Sequence, residues 1–435
     1  MRACDVLYRQ IHQLVPLTDG PREGPVRGED LGRAAVLENA AIATANGVVL
    51  EIGPDVELAE RYDAAAELDL SGYVVVPGFV DAHTHPVFAK TRENEFLLRC
   101  RGADYVEIAK QGGGILSSVR ALREIDEGTL EQRVRTRIER MLACGTTTIE
   151  AKSGYGLDLD SERKSLEILQ RVGDALPITV SRTMLAAHEV APEYRDDRPG
   201  YVELLCSRIL PELRRLSDSC DIFVEEHVFG IEDARRICLR ARELGYRLRL
   251  HVDELSPLGG TELAVEVGAA SADHLARISE RGIEALAASD TTAMLLPGTI
   301  FFLDKPAHAP GRQLADRGAI VALATDFNPG SCYTWSLPMI ATLARIHYAF
   351  TPQECLNSMT RNPAFSLGLD HERGTLHEGK ACDFVALDLA DFELFGYEFG
   401  DNPVALTVKD GRPVALNTRD VDAGLLERFS REWGS

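Results

Sequence analysis

The chain has 435 residues, 45% of them hydrophobic, and carries a formal net charge of −21. Such a length and composition suit one large globular domain beside a smaller one, with no apolar run near the roughly 18 residues of a membrane span. The charge argues against nucleic acid as a partner, since phosphate contacts need basic patches, and an anionic substrate would need a dedicated local cation.

The first ten residues, Met1 to Gln10, lack the apolar block of a signal peptide, so a cytoplasmic protein is expected. From residue 4 to 76 short β-like runs (Ala35-Val-Leu, Ala41-Ile-Ala, Gly47-Val-Val-Leu-Glu-Ile-Gly) alternate with Gly, Asn and Asp turns. Strand and Asp-Gly turn signals return near the end, around Gly379-Lys-Ala-Cys-Asp-Phe-Val and Ala405-Leu-Thr-Val-Lys-Asp-Gly. Residues 1–76 and 377–435 are therefore expected to build one composite β-sandwich domain, leaving 77–376 as the central domain.

The centre alternates strands with helices, the pattern of a parallel α/β fold. Eight strands are expected: Val74 to Asp81, Thr146 to Ala151, Ile178 to Ala186, Asp221 to Glu225, Arg247 to Leu250, Ser271 to Asp273, Thr292 to Leu296 and Ile320 to Thr325. Between them lie helical patterns such as Leu130 to Leu142, in which Glu131 stands four before Arg135. Eight such units make a (β/α)₈ TIM barrel, whose chemistry sits at the carboxyl ends of the strands. Nine cysteines from Cys4 to Cys382, without a Cys-x-x-Cys spacing, read as reduced thiols.

Read in order, the strand ends carry His83 and His85, then Lys152, His188, Glu226 with His227, His251, His274, a bland seventh, and Asp326. Six of the eleven histidines fall there. In an extended strand alternate side chains share a face, so His83 and His85 can reach one ion while Thr84 points away. With His251 and Asp326 they would form a nitrogen and oxygen shell for one divalent ion, Zn²⁺ or Fe²⁺, with room for water. Glu254, three residues past His251, is the candidate proton carrier, and Asp253 is its competitor. Lys152 invites comparison with the carboxylated lysine that bridges two metals in related barrels. That lysine comes from strand four, so one metal is favoured and Lys152 reads as a hydrogen-bonding or loop-anchoring residue.

These residues resemble the amidohydrolase superfamily of metal-dependent hydrolases over nearly the whole chain. The segments that carry the likeness are Pro77-Gly-Phe-Val-Asp-Ala-His-Thr-His85, Arg92-Glu-Asn-Glu-Phe96, Gly112-Gly-Gly-Ile-Leu-Ser117, Glu150-Ala-Lys-Ser-Gly-Tyr-Gly-Leu157, Ala187-His188, His251-Val-Asp-Glu254 and Thr325-Asp-Phe-Asn-Pro-Gly-Ser331. Within it the resemblance is close to one branch and implies hydrolysis of 4-imidazolone-5-propanoate to N-formimidoyl-L-glutamate, the third step of histidine degradation. The resemblance implies His83, His85, His251 and Asp326 as metal ligands, and Glu254 and His274 as catalytic groups. It also implies Arg92, Tyr155, His188 and Glu254 as contacts to a small anionic imidazolone, with Asn328, Gly330 and Ser331 touching the ring or opened product, and it implies a homodimer. Tyr105 is a further candidate contact to the propanoate. Two stretches depart from the family pattern, Ala89-Lys90-Thr91 before the arginine and Cys332-Tyr333 after Ser331. The alternative is a cytosine- or guanine-type deaminase of the same superfamily, in which a neutral base gives no evident need for Arg92. A catalytically dead scaffold barrel would be expected to have lost ligands that this chain keeps.

Overall fold

The structure, a computed structural model, describes residues 1–102 and 113–417. Tyr105 and Gly112 lie outside the described residues. None of the described helices is long and apolar enough to cross a membrane.

Eight strands pair in chain order into one parallel sheet: Phe79–Thr84, Thr146–Lys152, Thr179–Ala187, Ser219–Val224, Arg247–Val252, Ser271–His274, Thr292–Leu295 and Val321–Leu323. The ring is nearly closed, the first strand meeting the segment just after the last. Asp326 N donates to His83 O at 3.0 Å, and His85 N to Phe327 O at 2.8 Å. Helices such as Glu127–Ala143 and Leu159–Ala175 follow the strands, so the TIM-barrel expectation holds. Glu131 of the first of these helices bonds Arg171 of the second at 2.7 Å, an inter-helix pair instead of the expected link within one helix.

The terminal sheet also has eight strands and is built from both ends of the chain. Arg2–Leu14 pairs with Leu37–Ala45 on one side and with Tyr62–Asp69 and then Val74–Pro77 on the other. Phe384–Leu387 joins Val74–Pro77, followed by the hairpin of Val404–Lys409 and Arg412–Leu416. The turns at Asn46-Gly47 and Asp410-Gly411 have positive φ at both residues, as a two-residue hairpin loop requires. Val6, Tyr8, Ile42, Val75, Phe384 and Leu406 are among the side chains that form its core.

The expected first barrel strand, Val74 to Asp81, is in fact two. Val74–Pro77 belongs to the terminal sheet and Phe79–Thr84 to the barrel, with the change of partner at Gly78. Gly78 N donates to Asp383 O at 2.9 Å, while Phe79 N donates to Gly145 O at 3.0 Å. A Cβ at Gly78 would meet Thr147 Cγ2 at 2.6 Å, so only glycine fits there unforced. Two compact units result. One holds Met1–Val80, Glu139–Thr148 and the chain from Ser336 onward; the other holds Asp81–Ile138 and Ile149–Trp335. The helices Leu337–Tyr348, Pro352–Met359 and Arg361–Leu367 thus group with the terminal sheet, whereas the sequence placed them with the barrel.

Candidate active site

Strand alternation delivers the histidine pair as expected. His83 is fully buried, and its Nδ1 faces Asp273 Oδ2 at 2.7 Å, so Nδ1 carries the proton and Nε2 presents a lone pair. His251 has the same arrangement, with Nδ1 at 3.0 Å from Asp221 Oδ1. His85 Nε2 lies 3.2 Å from His83 Nε2, and Asp326 Oδ1 stands 3.4 Å from the former and 3.5 Å from the latter. The other oxygen of Asp326 accepts the Thr299 hydroxyl.

Lone pairs and a carboxylate oxygen thus converge in a buried space. His83, His85 and His251 form one group of possible ligands within 4.8 Å of one another, and His83, His274 and Asp326 form a second. Burial drives the His83 and His85 imidazolium forms well below the usual range, with His251 and Lys152 adding to the effect. Neutral imidazoles are what a divalent ion needs. The donor set fits Zn²⁺ or Fe²⁺, and imidazole with carboxylate suits both.

Around these groups lie the candidate acid, base and binding residues. Glu254 Oε2 is 3.5 Å from His274 Nε2. Burial, with the Asp326 carboxylate next in effect, pushes the Glu254 carboxyl up to about 8, while burial draws His274 down to about 3. The His188 ring stacks on His85 at 5.3 Å between centroids, and its Nδ1 meets Gly154 O at 3.0 Å. Tyr155 is buried, 5.4 Å from the His188 ring and 6.2 Å from His85.

Arg92 does not stand alone. Its Nε and Nη2 donate to the two oxygens of buried Glu95 at 2.9 and 2.6 Å, and Glu95 also accepts Gly114 N at 3.0 Å. The guanidinium passes over Gly330, where a Cβ would meet Arg92 Cζ at 2.6 Å. Arg99 Nη2 donates to Gly330 O at 2.9 Å. Arg92 and the Asn328–Ser331 loop therefore lie together. Within that loop Asn328 Oδ1 accepts Gly330 N at 2.8 Å and Ser331 N at 2.7 Å, and Asn328 Nδ2 donates to Asp326 O at 2.7 Å. The departing residues fit this frame: Cys332 is buried, and Tyr333 packs among Phe88, Phe327 and Trp335.

Asp253 has another task than the one weighed for it. It accepts Gly259 N, Gly260 N and Thr261 N at 3.0 to 3.2 Å and the Thr261 hydroxyl at 2.5 Å, tying down the start of the helix Gly260–Glu266. At the end of strand four Glu226 and His227 are exposed. Glu225 is buried and accepts Leu255 N at 2.9 Å and the Ser256 hydroxyl at 2.6 Å, anchoring the loop that follows Glu254. Sequence reasoning missed Asp221, Asp273, Thr299 and Glu95. Only Glu95 carried a signal, its three-residue spacing from Arg92 at the start of the helix Glu93–Cys100.

A nearly closed eight-stranded parallel barrel with a mixed histidine and carboxylate cluster at its strand ends defines a hydrolase of the amidohydrolase type. The model of the amidohydrolase family matches residues 74–414, and the chain belongs to that family. Among its relatives are imidazolonepropionases. That of Geobacillus thermodenitrificans is 42% identical over 415 residues, covering 94% of this chain and 97% of the relative. That of Bacillus thuringiensis is 41% identical over 409 residues, covering 94% and 96%. Solved structures with the same fold include a zinc-bound adenosine deaminase from Xanthomonas campestris, with a TM-score of 0.71, 18% identity and coverage of 100% of this chain and 98% of the other. The guanine deaminase of E. coli has a TM-score of 0.69 at 16% identity, covering 95% and 99%.

Proposed function

We propose that the chain is an imidazolonepropionase: it hydrolyses 4-imidazolone-5-propanoate to N-formimidoyl-L-glutamate, the third step of histidine degradation to glutamate. The observation that carries this reading is the full-length identity to imidazolonepropionases, at 42% over 94% of the chain, whereas the deaminases of the same fold stand at 18% and 16%. The presence of Arg92 beside Gly330 supports it, because a propanoate needs a fixed cation in so acidic a protein.

His83, His85, His251 and Asp326 would hold one divalent ion, Zn²⁺ or Fe²⁺. Such an ion lowers the pKa of water and polarises a carbonyl. The chain's own residues do the rest. Arg92 and the Tyr155 hydroxyl bind the propanoate, and His188, whose Nδ1–H donates to Gly154 O, presents its Nε2 lone pair to a ring N–H of the substrate. Glu254 takes a proton from the attacking water and, with His274 beside it, returns it to the ring nitrogen as the carbon–nitrogen bond breaks. The carbonyl carbon becomes the new carboxylate, and Asn328, Gly330 and Ser331 border the opened product. The assembly in solution is a homodimer.

A substrate comparison tests the reading. Purified protein is expected to abolish the ultraviolet absorbance of imidazolone propanoate and to release no ammonia from cytosine or guanine. Ammonia release with the imidazolone absorbance unchanged would replace it with the deaminase.

A further inference from the structure

We propose that Lys152 is a positioning residue: its ammonium fixes Asp221 and, through Asp221, the orientation of His251, and so sets how tightly the site holds its single divalent ion. The inference rests on the single-ion site described under the proposed function.

Lys152 ends the second barrel strand and is fully buried. Its Nζ donates to Asp221 Oδ2 at 2.7 Å and to Glu150 Oε1 at 2.8 Å. The second oxygen of Asp221 faces His251 Nδ1 at 3.0 Å. With Oδ2 held by the ammonium and Oδ1 also accepting Ile222 N at 2.7 Å, the Asp221 carboxylate is fixed in its plane, and His251 carries its proton on Nδ1 and directs the Nε2 lone pair toward His83 and His85. On the far side Glu150 is flanked by a second buried cation, Arg249, whose Nε lies 3.9 Å from Glu150 Oε1.

The same geometry explains why Lys152 does not bridge two metals. Carboxylation would turn the ammonium into an anion pressed against Glu150 and Asp221 in a medium of low dielectric. Asp221, His251 and Asp273 lie close enough to one another to attract a second cation. The Lys152 ammonium, bonded to Asp221, already supplies that positive charge. Burial alone would neutralise it, but Asp221 and Glu150 outweigh burial and keep it charged.

Zinc affinity of the full-length protein, read by competition with a chromophoric chelator in the absence of substrate, tests the proposal. Lys152→Met, which keeps length and removes charge, is expected to weaken Zn²⁺ binding by about 10- to 100-fold, the usual effect of losing a residue that orients a ligand. The absorption spectrum of the Co²⁺-loaded variant should shift, and the Michaelis constant at saturating metal should not. A lysine that only supported the barrel would lower the thermal midpoint of the metal-free protein and leave zinc affinity within twofold of the parent, which overturns the proposal. Should Lys152→Met fail to fold, Asp221→Asn decides: weakening of the same order supports the chain of contacts, and unchanged affinity overturns it. Wild-type turnover of imidazolone propanoate is measured separately, so failure of the functional reading and failure of this one are distinguishable.

Discussion

Asp253 and Glu254 are neighbours in the chain and differ in what surrounds them. Three backbone N–H groups and a hydroxyl saturate Asp253, so a proton taken up there would break a helix start. Glu254 lies 3.5 Å from His274 Nε2, and burial with Asp326 pushes its carboxyl up to about 8. A base must be ionised, so turnover should fall as pH drops through the Glu254 pKa, with full activity above it. A bound divalent ion favours the carboxylate and draws that limb down from 8 toward the ordinary value of 4.5. Glu254→Gln is expected to keep the metal, lose about 10²- to 10⁴-fold in turnover and lose the limb. Near-normal turnover would move the proton to His274. For Arg92→Ala we expect a rise of about 10- to 100-fold in the Michaelis constant with metal content unchanged, the effect of removing a charged hydrogen bond of about 1.5–3 kcal/mol. An unaltered constant would make Arg92 a structural partner of Glu95.

At the scale of the element, the strand ends were legible because two simple periodicities act there. Alternation put His83 and His85 on one face, and the α/β pattern marked where each strand stops. What was not legible depends on partners distant in sequence. Val74–Pro77 and Phe79–Thr84 form one apolar run, and only the bonds to Asp383 O and Gly145 O divide it at Gly78. Asp221 and Asp273 looked like any polar residue in a short strand until the fold set them behind His251 and His83. The seventh strand read as bland because Thr299, which bonds Asp326, sits in the helix after it, Pro297–Phe302. Gly78→Ala tests the division of the strand: forcing a methyl onto Thr147 should cost about 1–3 kcal/mol in denaturant unfolding. An unchanged midpoint would mean that the backbone yields there at no cost.

For the molecule as a whole, a net charge of −21 sits oddly with an anionic substrate, and the proposed contact of Arg92 with the propanoate would meet the conflict locally. Arg92 and Arg99 flank one carboxylate, Glu95, leaving a positive balance beside Gly330. We propose that one divalent ion, held by His83, His85, His251 and Asp326, is required for opening the imidazolone ring. Metal-free protein, prepared with a chelator and titrated with Zn²⁺ or Fe²⁺ while the imidazolone absorbance is followed, tests it most directly. The rate should rise from near zero in proportion to added metal and level off at about one equivalent per chain, as four ligands around one ion require. Full turnover without metal, or a plateau reached only at two equivalents, would contradict it.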